Sequence, residues 1–431
     1  MKRFLALIMC FIFILSLSAT AFAANPVSAT EEWLSDWNER TAAAGKIWQN
    51  PGKDENDRVF TWLSNDFNNT FTYSDGINKF NIVPQSSIML HGVLNKVELI
   101  DLKDGKYTYR YTADQKTYSG TFSVDTKTPS FTAMFCADPQ LGRSGDNSEK
   151  AVQDDAYGWE RTVERAAENN AELILCAGDQ VNDGFSLSQY NALFSAKSLK
   201  NIPFAPTAGN HDFYSPLFEL YFGESGHNAI GNDYYFSYGN AVFIVLDSNN
   251  IITPSHKKTV SDALNAYPDA TWRVIMLHHG AYSSCADEFT NKLCAGTLKD
   301  LFDKFDIDLV LSGHNHFYSR TYPVYKGGIS TLGTVYFEAG SASGGKCSNY
   351  DTENSEFIVH SVPLQEASYS LLTFTEDTIN VTSYKTDSDE CFDSFTVVNT
   401  KTEETSRHFG LFSSIIAFFE RIISYIPVLY K

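Results

Sequence analysis

Five times between Phe131 and Tyr318 a mainly apolar run breaks off into a short cluster of Asp, Asn, His and Gly. The clusters are "CADPQLG" around Asp138, "CAGDQVND" around Asp179, "AGNHDF" around Asn210-His211-Asp212, "MLHHGAY" around His278-His279 and "SGHNHFY" around His314 and His316. The runs Phe131 to Cys136, Leu173 to Cys176, Pro203 to Pro206, Val242 to Leu246, Val274 to Leu277 and Ile307 to Leu311 have the length and character of strands covered on both faces. Between the first two, Val152, Ala156, Trp159, Val163 and Ala166 recur at helical spacing. Strands alternating with helices imply an α/β layout with a largely parallel centre. In such sheets the ligand crevice lies outside the carboxyl ends of the strands, so five polar clusters can converge on one place.

Those clusters have a common chemistry. Carboxylate, amide and imidazole donors together suit divalent or trivalent first-row metals better than calcium, which prefers oxygen alone. A carboxylate shared by two ions about 3.5–4 Å apart is the arrangement that clamps a phosphate and activates water. His314 and His316 stand two residues apart, so on an extended chain they project to the same side, and the turn that follows lets each reach a different ion. Gly313 permits the close backbone approach such a turn needs.

The flanking text reads differently. From Arg58 to Val124, Val59 to Leu63, Lys96 to Leu99, Tyr107 to Tyr111 and Thr121 to Val124 are short alternating strands, punctuated by Asp75-Gly76 and Asp104-Gly105, as in a small β-sandwich. Asp125 to Pro129 reads as a linker, and Tyr369 to Val398 returns to alternating, antiparallel strands. The expected domains are therefore a sandwich over 27–128 and an α/β domain over 129–400. With 431 residues, 43% hydrophobic and 14% aromatic, the chain can fill two cores.

Lys2-Arg3, the apolar run Phe4 to Leu17 and Ala21-Phe22-Ala23 form an export signal over residues 1–24, with cleavage after Ala23 or Ala24, so the expected location is outside the cell. Cys136 and Cys176 lie in apolar strands and are expected as buried thiols. Elimination then pairs Cys285 with Cys294 and Cys347 with Cys391, a connectivity that spacing alone does not fix. Over 401–431 a polar stretch leads into Phe412, Ile415, Phe419, Ile422 and Ile426, the stripe of an amphipathic helix for docking or for a membrane surface. Oligomeric state is not readable. The net charge of -19, from 33 basic and 52 acidic residues, argues against nucleic acid as a main partner. An anionic substrate would need a local source of attraction, such as bound metal ions.

The ordered set Asp138, Gly178-Asp179, Gly209-Asn210-His211-Asp212, His278 and Gly313-His314-Asn315-His316 resembles the calcineurin-like metallophosphoesterase superfamily. Within it, "GHNHFYSR", Tyr282, "DYYFSYGNAVFIVLD" from Asp233 and the preceding sandwich are similar to purple acid phosphatases with a fibronectin type III-like domain. The resemblance implies a four-layer sandwich of two mixed β-sheets flanked by helices. It also implies two metal ions (Fe, Zn or Mn), a small-molecule phosphoester substrate and hydrolysis with water as nucleophile. Carried over by position, Asp138, Asp179 and His316 would hold one ion; Asn210, His278 and His314 would hold the other, with Asp179 between them. His211 would donate to the phosphate or leaving oxygen, with Asp212 orienting its ring.

Three positions depart from that pattern. Asn182 stands where purple acid phosphatases carry the tyrosinate that colours them, and Gln140 stands where many relatives have a His ligand. Each is a candidate neutral oxygen ligand or a residue beside the ligands. Asp287-Glu288 replaces the histidines that plant enzymes place after the position of His278, which leaves His211 or His279 to protonate the leaving group. His279, Tyr318 and Arg320 are candidate substrate contacts, although the two last fit cleft architecture equally. Two function classes follow: a secreted phosphomonoesterase, with diester or nucleotide substrates as the alternative, and a surface-binding protein that keeps the fold with weak turnover.

Overall fold

A computed structural model describes residues 27–42, 46–89, 92–126, 130–223, 232–250, 253–282, 289–346 and 356–400. The expected export signal, the 401–431 helix and Cys285 with its pairing lie outside the described residues. Among the described residues no helix is long and apolar enough to cross a membrane.

The sandwich is present, with more strands than its alternation showed. One sheet orders Ile47–Pro51, Arg58–Ser64, Gly92–Leu99 and Gln85–Met89; the other orders Lys79–Ile82, Phe71–Ser74, Gly105–Ala113 and Lys116–Val124, with every neighbouring pair antiparallel. Phe60, Trp62, Phe71, Tyr109 and Phe122 fill the space between them. Ile47–Pro51 is buried along its whole length because it also docks on the second domain. Trp48 stacks on Phe194, and the Asn50 amide donates to the Phe204 carbonyl at 2.7 Å.

The second domain has two mixed sheets. In the first, β1 (Phe131–Cys136), β2 (Leu173–Cys176) and β3 (Phe204–Pro206) run parallel. The second, in chain order, has β4 (Tyr234–Tyr238), β5 (Ala241–Val245), β6 (Trp272–His279), β7 (Leu309–Gly313), β8 (Tyr318–Thr321), β9 (Val335–Glu338) and β10 (Ile358–Val362), with β5, β6, β7 and β9 parallel. The first sheet finishes antiparallel through β11 (Ser368–Phe374), β12 (Thr378–Lys385) and β13 (Cys391–Val398), giving the order β3-β2-β1-β11-β12-β13.

Alternation decides what each face meets. Phe131, Ala133 and Phe135 face Phe243, Val274 and Phe337 in the core between the sheets, whereas Met134 and Cys136 turn outward. Those outward residues meet Val152, Ala156, Trp159 and Val163 of α1 (Glu149–Glu168), which Ser148 caps through its hydroxyl. The far face of the second sheet is covered by Val260 and Ala263 of α2 (Thr253–Ala266) and by Leu298, Leu301 and Phe302 of α3 (Phe289–Lys304). Helix, sheet, sheet and helix make four layers, as the resemblance implied.

Cys136 and Cys176 are buried free thiols. Cys391 is exposed and free at the start of an edge strand, its sulfur 3.6 Å from the Asp393 carbonyl, and its expected partner Cys347 lies outside the described residues.

Candidate metal centre

The carboxyl ends of β1, β2, β3, β6 and β7 bring the five polar clusters together. Loops after β1 and β2 are joined to each other, the Asp138 and Gln140 N–H groups donating to the carbonyls of Gly178 and Asp179 at 3.1 and 2.8 Å. Space is tight enough that two glycines are required. A Cβ on Gly178 would fall 2.3 Å from the His278 ring, and one on Gly209 would fall 2.0 Å from Asp179 Oδ1. Asp138, Gln140, Asp179, His314 and His316 all have positive φ, a conformation costing on the order of 1–3 kcal/mol each that packing must offset.

Two groups of ligand atoms result, one of Asp138, Asp179 and His316 and one of His278, His279 and His314. In the first, His316 Nε2 lies 3.7 Å from Asp138 Oδ1. In the second, His278 Nε2 lies 3.0 Å from Asn210 Oδ1, 3.2 Å from His314 Nδ1 and 3.4 Å from Asp179 Oδ1. Asp179 thus stands between the groups, as expected for a shared carboxylate. His278 Nδ1 donates to the Ala177 carbonyl at 2.9 Å, which leaves Nε2 with its lone pair pointed inward. Burial pushes the His278 imidazole down to about 4, so it is neutral at physiological pH.

The electrostatics favour a cation. Burial and the Asp179 charge push the Asp138 carboxyl well up. Asp179 is itself buried, but His278, His211 and the His211 N–H outweigh that burial and hold it below the usual range. Burial, then the charges of Lys346, His314 and Arg143, drive His316 well down. Asp138 Oδ1, Gln140 Oε1, Asn182 Oδ1, His279 Nε2 and His316 Nδ1 are buried without a hydrogen-bond partner. Buried polar atoms are nearly always satisfied, so five orphans in one cleft mark a place for charged ligands. The donor set fits metal ions.

Several side chains take roles other than those expected. Asp212 does not orient His211; its carboxylate accepts from the Gly209 and Gln180 N–H groups at 3.0 Å and so holds the turn. The ring is held by the Asn182 carbonyl, which accepts from His211 Nδ1 at 2.7 Å. The Asn182 amide donates to Asn147 Oδ1 at 2.9 Å. His279 is buried beside His314 in the second ligand group, with Nδ1 2.9 Å from Ser248 Oγ and Nε2 without a hydrogen-bond partner.

Tyr318 and Arg320 are likewise committed elsewhere. The Tyr318 hydroxyl and the Arg320 Nε both donate to Asp393 Oδ2, at 2.7 and 2.6 Å, and the Tyr318 ring packs on Phe337 in the inter-sheet core. This is framework, as the alternative reading of both residues had it.

Sequence reasoning missed the supports. Glu338 accepts from the Asn315 amide at 2.5 Å and from Ser319 Oγ at 3.1 Å, fixing the His314–His316 turn. Ser341 Oγ donates to the Asp138 carbonyl at 3.0 Å. The available signal was "VYFEAGSASGGK", another apolar run that ends in small residues.

Residues 131–318 match the sequence profile of the calcineurin-like phosphoesterase family. This stretch is a calcineurin-like phosphoesterase domain. Its match takes in all six expected ligands, and a phosphoric ester hydrolase follows from it. No curated protein matches the chain by sequence. Among solved structures, a purple acid phosphatase from yellow lupin (Lupinus luteus) seeds superposes with a TM-score of 0.68 at 17% identity, covering 83% of this chain and 74% of the lupin chain. That likeness shows the fold, sandwich included. The anchor of the inner membrane complex of Plasmodium gives a TM-score of 0.46 at 14% identity over 63% of this chain and 90% of its own. A dimetal phosphatase from Danio rerio gives 0.43 at 13% identity over 62% of this chain and 99% of its own.

Proposed function

We propose that the chain is an exported, dinuclear metal-dependent hydrolase of phosphomonoesters. One observation carries this reading: two groups of ligand atoms share the cleft, with Asp179 between them and His211 at its edge. Asp138, Asp179 and His316 would hold one ion, and His278, His314 and Asn210 the other, with Asp179 facing both. Bound there, Fe, Zn or Mn ions supply positive charge to a phosphate and lower the pKa of water.

The protein's own groups divide the remaining work. Asp179 Oδ1 accepts the His211 N–H at 2.9 Å, which ties the acid's backbone to the shared ligand. The Asn182 carbonyl fixes the proton on His211 Nδ1, so Nε2 is the nitrogen left for substrate. As imidazolium, His211 then donates from Nε2 to a phosphate oxygen or to the leaving oxygen. Asp212, buried under the turn, keeps the ring at that edge through the Gly209 and Gln180 N–H groups.

Export is supported by the N-terminal segment Lys2 to Ala23. The test is elemental analysis of the purified protein, with hydrolysis of an aryl phosphate in added Mn, Zn or Fe. About two ions per chain with turnover supports the reading. Turnover undiminished in both His211→Ala and Asp179→Asn would refute it.

A further inference from the structure

Strand β5 runs parallel to β6, so its carboxyl end also faces the cleft, yet the loop after it, Asp247 to Asn250, supplies none of the expected ligands. It touches two neighbours that do. Ser248 Oγ accepts the His279 N–H at 3.0 Å and lies 2.9 Å from His279 Nδ1, while Asn249 Nδ2 donates to the Ala208 carbonyl at 3.2 Å, next to Gly209-Asn210. The loop is therefore wedged between the strand ends that carry His278 and His279 on one side and Asn210 on the other.

What holds the loop is a buried ionic cluster. Asp247 accepts the Asn249 N–H and Nδ2 at 3.1 and 2.9 Å and the Asn232 N–H and Nδ2 at 3.3 and 3.2 Å. Its own N–H donates to Asp233 Oδ1 at 2.9 Å. Asp233 Oδ2 in turn accepts from Thr259 Oγ1 at 3.0 Å and faces His256 Nδ1 at 2.8 Å. The other nitrogen of His256 lies 2.6 Å from the Asn250 carbonyl, at the far end of the loop. His256 and both carboxylates are wholly buried.

These contacts set the charge of the ring. A carboxylate and a carbonyl are acceptors only, so a neutral imidazole, with its single N–H, would turn one lone pair against another. Both nitrogens must donate, and His256 is an imidazolium. Burial opposes this, but the Asp233 carboxylate, the Asn250 carbonyl and the Asp247 charge outweigh it and hold the group above its ordinary value. One cation on α2 thus ties Asp233, just before β4, to the end of the loop.

We propose that His256 is a positioning residue for the second metal ion: by clamping Asp233 and Asn250 it sets the Asp247–Asn250 loop, which through Ser248 and Asn249 sets His279 and the turn that carries Asn210. This rests on the metal-centre reading and adds to it a residue that touches neither ion nor substrate.

The experiment uses the full chain. In excess chelator at neutral pH, nitrogen NMR of ring-labelled histidines should show both nitrogens of His256 protonated, and a singly protonated ring would overturn the proposal. Zinc alone is then titrated in competition with a chromophoric chelator. His256→Gln, which keeps a donor and loses the charge, should weaken the ion that His314→Ala also loses by about tenfold or more, and the other ion by less than about threefold. Affinities left unchanged, or weakened equally for both ions, would overturn the proposal even where the denaturant midpoint falls. Ser248→Ala cuts only the contact between loop and His279, and it gives the same reading if His256→Gln does not fold. If the wild type binds no zinc, the metal reading itself fails and the ring signal of His279 decides whether His256 sets the cleft: a shift in His256→Gln supports the clamp, and an unchanged signal overturns it.

Discussion

The sandwich core and the metal cleft bury their groups by opposite rules. Between the sandwich sheets, Phe60, Phe71, Tyr109 and Phe122 lie with ring centroids 4.8–6.3 Å apart and Trp62 Nε1 donates to the Thr112 carbonyl at 3.1 Å, while Trp48 Nε1, Gln49 Oε1, Asn50 Oδ1, Arg58 Nε and Asn69 Oδ1 elsewhere in the sandwich are buried without a partner. In the cleft, carboxylates and imidazoles are buried beside one another, five polar atoms have no partner, and five residues hold a left-handed backbone. One region is closed by packed aromatic rings. The other is held in place by its surroundings and is finished only when cations arrive, a usual trade of stability for function.

The largest effects that separate the two regions are on turnover. Asp179→Asn removes the shared charge and lowers kcat/KM on an aryl phosphate by about a thousandfold or more, and His211→Ala by about a hundredfold or more. Phe60→Ala should do the reverse: it opens a cavity in the sandwich and lowers stability by about 3–5 kcal/mol in denaturant titration. Metal content per folded molecule stays as in the wild type. Loss of metal in Phe60→Ala at a temperature where the chain is folded would break the comparison, since the sandwich would then be shaping the cleft.

How much of this was readable beforehand depended on what each residue's neighbours were. The strands β1, β2, β6 and β7 carry unbroken apolar runs, so periodicity found them, and the clusters at their ends are local in sequence. Ile47–Pro51 was not seen because its burial comes from a second domain that no local pattern encodes, and Phe71–Ser74 and Gln85–Met89 because a short, largely uncovered strand shows no apolar alternation. The same distinction runs through the site. His211 was found as a residue, but its ring is oriented by a backbone carbonyl, Asn182, and a carbonyl has no sequence signature. Asp212 was expected against the ring because they are neighbours in sequence; its oxygens turn instead to Gly209 and Gln180. Asp155, buried on α1 and holding the N–H groups of Gly142 and Ser144, belongs to no pattern or motif and could be located only in three dimensions.

That carboxylate gives the next effect. Burial pushes Asp155 up to about 6 although it accepts two N–H groups. Its folded value exceeds the ordinary carboxylate value, so the native state holds the proton where the unfolded chain has released it. The stability it contributes is full below about pH 4 and is lost as pH rises through about 6, on the order of 2–3 kcal/mol. Asp155→Asn should flatten this part of the stability profile between pH 4 and 6.5. An unchanged slope would mean that this carboxylate is ionised throughout.

The smallest effect is the most direct test of whether the cleft is arranged against its own stability. Asp138 is buried near the charge of Asp179, and one of its oxygens has no partner, so the chelated protein retains a like-charge conflict that cations would relieve. Asp138→Asn keeps an oxygen able to accept the His314 N–H, now 2.8 Å away, and deletes the charge. In excess chelator the variant should therefore unfold at higher denaturant, by about 1–2 kcal/mol. With metal restored the order inverts, because only the wild type gains the binding free energy, about 4 kcal/mol at a thousandfold excess over Kd. A variant less stable than wild type in both conditions would show that Asp138 is part of the fold before it is a ligand.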